Sequence, residues 1–228
     1  MGRLARLVAI VVIAVASFGA LAFAAEPQVV LPDQALESYQ RTGPDDDPAD
    51  HFMAYLESGS ECQKTVVKNA VKTGYTGEYA LHVKGHLAAN IHSFGTYISL
   101  VHWPDTDLDL SKVDGIRFWI RVLSNSNILI RCSLYDNDGG ALERWTTPDE
   151  QWKAAKIVQT KNDQWQEVVI LLSKLKIPFW APEPGNNSKL DRDQISRWEL
   201  SFVSTTSAER SFEVELGSFA AYKDGGPQ

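Results

Sequence analysis

From about residue 61 onward the chain alternates apolar and polar positions in short segments rich in Val, Ile, Thr, Tyr, Phe and Trp. Gly, Asn, Asp or Pro interrupts these segments about every ten residues, the spacing of a sandwich or barrel. A period of two marks a strand with one buried face, because successive side chains leave opposite sides of the backbone. The pattern predicts strands at 61–70, 79–85, 96–103, 114–122, 127–135, 141–145, 153–159, 166–172, 197–204 and 211–222. A first strand is expected at 35–40, ahead of a loop at 43–50 that holds Gly43, Pro44, Asp45, Asp46, Asp47 and Pro48. Helical periodicity is almost absent, with one short helical turn expected at 191–195. These elements predict an all-β fold of two antiparallel sheets.

Two segments are regular enough to assign faces. In 115–122 the inward set is Ile116, Phe118, Ile120 and Val122, leaving Arg117, Trp119 and Arg121 outward. In 127–135 the inward set is Ile128, Ile130, Cys132 and Leu134, leaving Leu129, Arg131, Ser133 and Tyr135 outward. Residues 123–126 are short enough to join the two strands as a hairpin. That would merge Arg117, Trp119, Arg121, Arg131 and Tyr135 into one outward patch, which Trp145 could extend from beyond the next turn. In 97–103, Ile98 and Leu100 point inward and Tyr97, Ser99, Val101 and Trp103 outward. Glu199 shares the arginines' face if Leu200 and Phe202 point inward.

The beginning of the chain breaks the alternation. Arg3 and Arg6 precede a continuous apolar run from Leu7 to about Ala22, and small residues at Ala22 and Ala24 offer a cleavage site. This order is that of a secretory signal peptide at 1–24. A polar lead at 25–34, a sandwich domain at 35–222 and a tail at 223–228 complete the expected organisation. No cysteine follows the apolar run to carry a lipid, so the mature chain is expected to be secreted or periplasmic with no membrane partner. With 22 basic and 29 acidic residues the formal charge is −7, and loss of Arg3 and Arg6 makes the remainder more acidic. Nucleic acid, which wants clustered positive charge, is not an expected partner. Cys62 and Cys132 would both reach an oxidising compartment. A disulfide between them and a buried thiol at Cys132 are both open, since Cys132 continues the inward alternation.

Three segments occur in a familiar order: Gly77-Glu78-Tyr79-Ala80-Leu81, Leu108-Asp109-Leu110-Ser111 leading into Ile116-Arg117-Phe118-Trp119-Ile120, and Trp165-Gln166-Glu167-Val168-Val169-Ile170-Leu171-Leu172-Ser173. With a closing strand at Phe212-Glu213-Val214-Glu215-Leu216-Gly217-Ser218-Phe219, the order resembles the galactose-binding-like jelly rolls. Within these it is similar to family 11 and related carbohydrate-binding modules and to the complex I intermediate-associated protein family. The resemblance spans roughly residues 35–222. It implies a jelly-roll β-sandwich whose concave face holds an oligosaccharide or polysaccharide, with a structural calcium on the opposite side. The chain departs from the family's calcium pattern at Glu37-Ser38-Tyr39-Gln40 and at Glu215.

The outward Arg/Trp/Tyr set has chemistry suited to such a ligand. An aromatic ring can cover the C–H face of a sugar while guanidinium groups donate in-plane hydrogen bonds to hydroxyls or carboxylates. The expected ligand-binding residues are Trp103, Arg117, Trp119, Arg121, Arg131, Tyr135, Trp145 and Glu199, with the arginines favouring acidic sugars. The same residues could instead form a cation–π ladder or a second packed layer over Trp119, and Glu199 a cross-strand ion pair. His82 and His86 have zinc-like spacing for a helix, but on a strand they stand about 13 Å apart. His51, His92 and His102 lack an accompanying acidic or thiol motif, so no metal site is expected. Asp136-Asn137-Asp138-Gly139-Gly140 reads as a Gly-rich turn rather than a calcium loop. Ser173-Lys174-Leu175-Lys176 and Lys72-Thr73-Gly74 mimic a serine hydrolase but in the wrong order and on the wrong elements. Three functions follow: a non-catalytic carbohydrate-binding protein, a protein-interaction or assembly factor on the same fold, and a glycan-cleaving enzyme whose carboxylates would be Glu213 and Glu215.

Overall fold

The computed structural model describes residues 26–41, 44–90, 95–124, 128–138, 141–146, 164–178 and 189–224. The signal peptide, the 153–159 strand and His92 lie outside them. Thirteen strands appear among the described residues, in two sheets. In chain order they are β1 (Gln28–Val29), β2 (Ala35–Glu37), β3 (Phe52–Leu56), β4 (Glu61–Lys68), β5 (Tyr79–Leu87), β6 (Thr96–His102) and β7 (Leu108–Asp109). They continue with β8 (Gly115–Val122), β9 (Leu129–Asp138), β10 (Ala141–Thr146), β11 (Trp165–Leu171), β12 (Ile195–Ser204) and β13 (Arg210–Tyr222).

The first sheet runs β10-β9-β12-β6-β3, with β7 pairing the start of β12 and β1 lying parallel to β7. The second runs β11-β8-β13-β5-β4, with β2 on the far end of β13. Side chains from the inner faces of both sheets form one core: Ile98, Leu100, Ile130, Cys132, Leu200 and Phe202 meet Leu81, Val83, Ile116, Phe118, Ile120 and Phe219. The two-sheet sandwich is as expected.

The closing strand shows how the sequence keeps its faces sorted. Phe212, Val214 and Leu216 point inward, and so do Phe219 and Ala221, two residues of opposite parity. A bulge between Leu216 and Phe219 inserts the extra residue that reconciles them. Gly217 sits in it because a Cβ there would stand 2.8 Å from the Cβ of Trp119 and 3.0 Å from the Tyr75 ring.

Three sequence expectations change. Phe52–Leu56 is a strand that lacks β-branched residues and so gives little strand signal. The 191–195 helical turn is a single turn closed by Gln194 N–H to the Asp191 carbonyl, after which β12 begins. Most consequential, β8 and β9 are not a hairpin. Both edges of β8 are taken, by β11 and β13, whereas β9 pairs with β12 and β10 in the other sheet. Alternation tells inside from outside but not which sheet a strand joins, and β8 and β9 stand in opposite sheets.

Candidate functional site

The placement of β8 and β9 in different sheets divides the expected ligand patch between opposite outer faces. Arg117, Trp119 and Arg121 lie outside the second sheet, and Trp103, Arg131, Tyr135 and Glu199 lie outside the first. Trp145 stands opposite Leu134 in register, and its side chain is outside what is described.

Outside the second sheet the polar groups pair with one another. Arg121 donates to Glu215 at 2.9 and 2.5 Å, and Arg117 reaches Asp33 and Glu167. Glu213 meets His82 at 2.8 Å and Lys84 at 3.3 Å. Partial burial raises the Glu213 pKa, but hydrogen bonds from His82 and Lys84 outweigh that and hold it below the ordinary carboxylate range. An acid–base pair needs its members pushed apart, with one carboxyl kept protonated. Glu213 and Glu215 are instead each held by cations. Trp119 is covered by a second small packed layer with Tyr75, Trp165 and Ala80. Tyr75 also donates its hydroxyl to the Tyr79 carbonyl and accepts from Ser218 N–H.

The outer face of the first sheet has a different construction. Register places Tyr55 opposite Ser99, Ser99 opposite Ser201, Glu199 opposite Ser133 and Arg197 opposite Tyr135, so these side chains share one face. Its centre is buried: Glu199 is 4% exposed and Tyr135 8%. The Glu199 carboxylate accepts hydroxyl hydrogen bonds from Ser99 (2.8 Å) and Ser201 (2.6 Å) on Oε1 and from Tyr135 (2.6 Å) on Oε2. Its rim is apolar and open, with Trp103 40% exposed, Tyr55 45% and Met53 54%. The Tyr55 and Trp103 rings lie 5.9 Å apart. Arg197 bridges rim and centre, its Cζ 3.8 Å from the centroid of Tyr135 and 5.5 Å from that of Trp103. The result is a polar, hydrogen-bonded floor between aromatic walls.

Sequence reasoning missed Tyr55 and Met53 because it missed β3. It missed Arg197 too, although that residue continues the outward alternation of Glu199 and Ser201.

A titratable cluster was also hidden. His51 places Nδ1 2.8 Å from Glu37 and Nε2 2.9 Å from Asp46, and His102 lies 3.5 Å from the same Glu37 oxygen. Burial lowers the His51 pKa, but the two carboxylates overcome this and raise it. Burial raises Glu37, and hydrogen bonds from His102, the Tyr39 N–H and His51 bring it below the usual range.

Among the described residues, no group of three or more His, Cys, Asp or Glu side chains is arranged to hold a metal ion. The positions that depart from the family's calcium pattern do not fit the ion: Glu37 is engaged by two histidines and Glu215 by a guanidinium. His82 and His86 go to different partners, Glu213 and Ser211. Cys62 and Cys132 are separate thiols, pushed by burial to about 11 and about 12. Ser173 lies in a 3-10 turn, Leu172–Lys174, not at the head of a long helix.

This sandwich recurs in solved structures. A family 11 carbohydrate-binding module from Clostridium thermocellum, in complex with a β-1,3-1,4-mixed-linked tetrasaccharide, matches with a TM-score of 0.60 at 15% identity, over 85% of this chain and 97% of the module. The fold is that of the carbohydrate-binding modules. The family 11 module of the C. thermocellum cellulosomal cellulase Lic26A-Cel5E matches at 0.58 with 17% identity, over 85% of this chain and 96% of its own. A family 28 module specific for non-crystalline cellulose matches at 0.52 with 12% identity, over 86% and 98%. No family model and no curated protein matches the sequence. Among the described residues no helix is long and apolar enough to cross a membrane.

Proposed function

We propose that this protein is an exported, non-catalytic carbohydrate-binding module whose oligosaccharide or polysaccharide ligand lies along the outer face of the first sheet. The observation that carries this reading is the pairing of a buried polar floor, centred on Glu199, with the exposed rings of Trp103 and Tyr55. Sugars are amphipathic in the same sense, with flat C–H faces and equatorial hydroxyls, so rings and fixed hydrogen-bonding groups together recognise them. The carbohydrate-binding-module fold supports the same reading, and the Arg3 to Ala24 leader supports export.

Arg131, Tyr135, Glu199 and Trp103 are kept as ligand-face residues, and Tyr55 and Arg197 join them. Arg117, Trp119 and Arg121 are assigned to the stability of the opposite face. The test is calorimetric titration of the mature chain against a panel of soluble plant and bacterial polysaccharides, repeated with Trp103→Ala. Saturable binding to at least one glycan, strongly weakened in the variant, is the expected result. A folded wild-type domain that binds none of them, or a Trp103→Ala variant that binds as well as wild type, overturns the assignment.

A further inference from the structure

Both outward arginines of β8 have a carboxylate: Arg117 meets Asp33 and Glu167, and Arg121 meets Glu215. Arg197 on the first sheet has none among the described residues. It is held instead by the faces of two rings, Tyr135 at 3.8 Å and Trp103 at 5.5 Å from Cζ, and its buried Nε makes no hydrogen bond among the described residues.

A guanidinium is planar, with five N–H donors around its edge and none on its faces. Contacts to its faces fix the group in place and leave the edge without a partner among the described residues. The nearest acid along the strand, Glu199, already accepts from Ser99, Ser201 and Tyr135. The arrangement is thus a fixed positive fork set between the aromatic rim and the polar floor, the geometry that matches a planar or tripodal anion.

Resting on the carbohydrate reading of this face, we infer that Arg197 selects glycans that carry an acidic substituent, a carboxylate or a sulfate. The chain's charge of −7 would repel a densely charged polymer, so the fitting ligand is a largely neutral chain with sparse acidic groups. Neutral sugar hydroxyls also accept from guanidinium, but they bring no opposite charge, so they lack the ion-pair attraction that salt screens.

The experiment uses matched probes: glucuronoxylan and its carboxyl-reduced form, and a lightly sulfated glucan with its unsulfated parent. The acidic member of at least one pair is expected to bind at least about tenfold more tightly, with the advantage shrinking as ionic strength rises. Arg197→Gln is expected to erase that ratio, so that the acidic and neutral members of a pair bind the variant equally, whatever the change in absolute affinity. Arg197→Lys, which keeps the charge but not the fork, is expected to restore part of it. The wild-type ratio needs no variant, so it stands even if a substitution impairs folding. Equal binding of acidic and neutral members overturns this inference and leaves the carbohydrate reading intact. Absence of binding to all four probes and to the wider polysaccharide panel overturns both.

Discussion

The two outer faces of the sandwich use similar residue types to opposite ends. Outside the second sheet, Arg121 is closed by Glu215, Glu213 by His82 and Lys84, and Trp119 is roofed by Tyr75. Outside the first, Glu199 takes hydroxyl hydrogen bonds from Ser99, Ser201 and Tyr135, Arg197 is stacked on rings with no carboxylate among the described residues, and Trp103 and Tyr55 stay open. A face whose charges are mutually cancelled and whose rings are covered contributes stability. A face whose hydrogen-bonding groups are fixed but whose aromatic rim is uncovered is the one we propose for the ligand. The same Arg-and-Trp vocabulary therefore says nothing about function until the partners are known.

Exchanging tryptophans breaks this contrast most forcefully. Trp119→Ala would empty the layer shared with Tyr75 and Trp165, and is expected to cost about 3 kcal/mol. For a domain of this size that is roughly 6–12 °C in melting temperature. Glycan affinity should stay unchanged. Trp103→Ala should do the reverse, weakening binding by about 2 kcal/mol, roughly thirtyfold, while thermal scanning shows little change. If both variants move the same observable, the division of labour between the faces is wrong.

The charge network offers the next test. Arg121 and Glu215 are nearly buried, so Arg121→Ala leaves a carboxylate poorly solvated and is expected to cost about 2 kcal/mol, between the values for exposed and buried pairs. Arg117→Ala, whose partner Asp33 is open to water, should cost only about 0.5 kcal/mol. Chemical denaturation of both, with the Arg121→Met, Glu215→Leu double variant as reference, distinguishes the two. Recovery in the double variant identifies the loss as an unpaired charge rather than lost packing.

How much of this was legible in the sequence follows from what alternation can encode. Ile116, Phe118, Ile120 and Val122 announced a core face, as did Ile128, Ile130, Cys132 and Leu134, and both lie inside. The sheet each strand joins depends on which edges its neighbours occupy, a long-range matter that no local pattern carries. That is why Arg117 and Arg131 looked like neighbours and lie on opposite sides of the core. Glu199 and Trp103 were legible because parity alone sets their face. Tyr55 was not, because Phe52–Leu56 lacks the β-branched residues that mark a strand.

The last expected effect concerns the join between the faces, and it depends on pH. Both ring nitrogens of His51 point at carboxylate oxygens, Glu37 and Asp46. Carboxylates only accept, so two hydrogen bonds require two N–H groups, and only the imidazolium has both. Asp47 caps Ala49 N–H, and Lys64 donates to the carbonyls of Ala49 and Phe52. The 46–52 segment is thereby tied to β2 and β4 just before β3 carries Met53 and Tyr55 onto the proposed ligand face. The raised His51 pKa adds stability that is complete below its ordinary 6.5 and lost as pH rises through the folded value. The lowered Glu37 pKa adds stability that is complete above its ordinary 4.5 and lost as pH falls through the folded value. Both contributions are full only between these limits. His51→Gln should therefore cost most near pH 5.5, about 1 kcal/mol given partial exposure, or roughly 2–4 °C. By pH 8.5 the difference from wild type should narrow. A melting-temperature gap that is flat across that range would mean the histidine acts by shape rather than by charge, and that the anchoring of β3 does not depend on its proton.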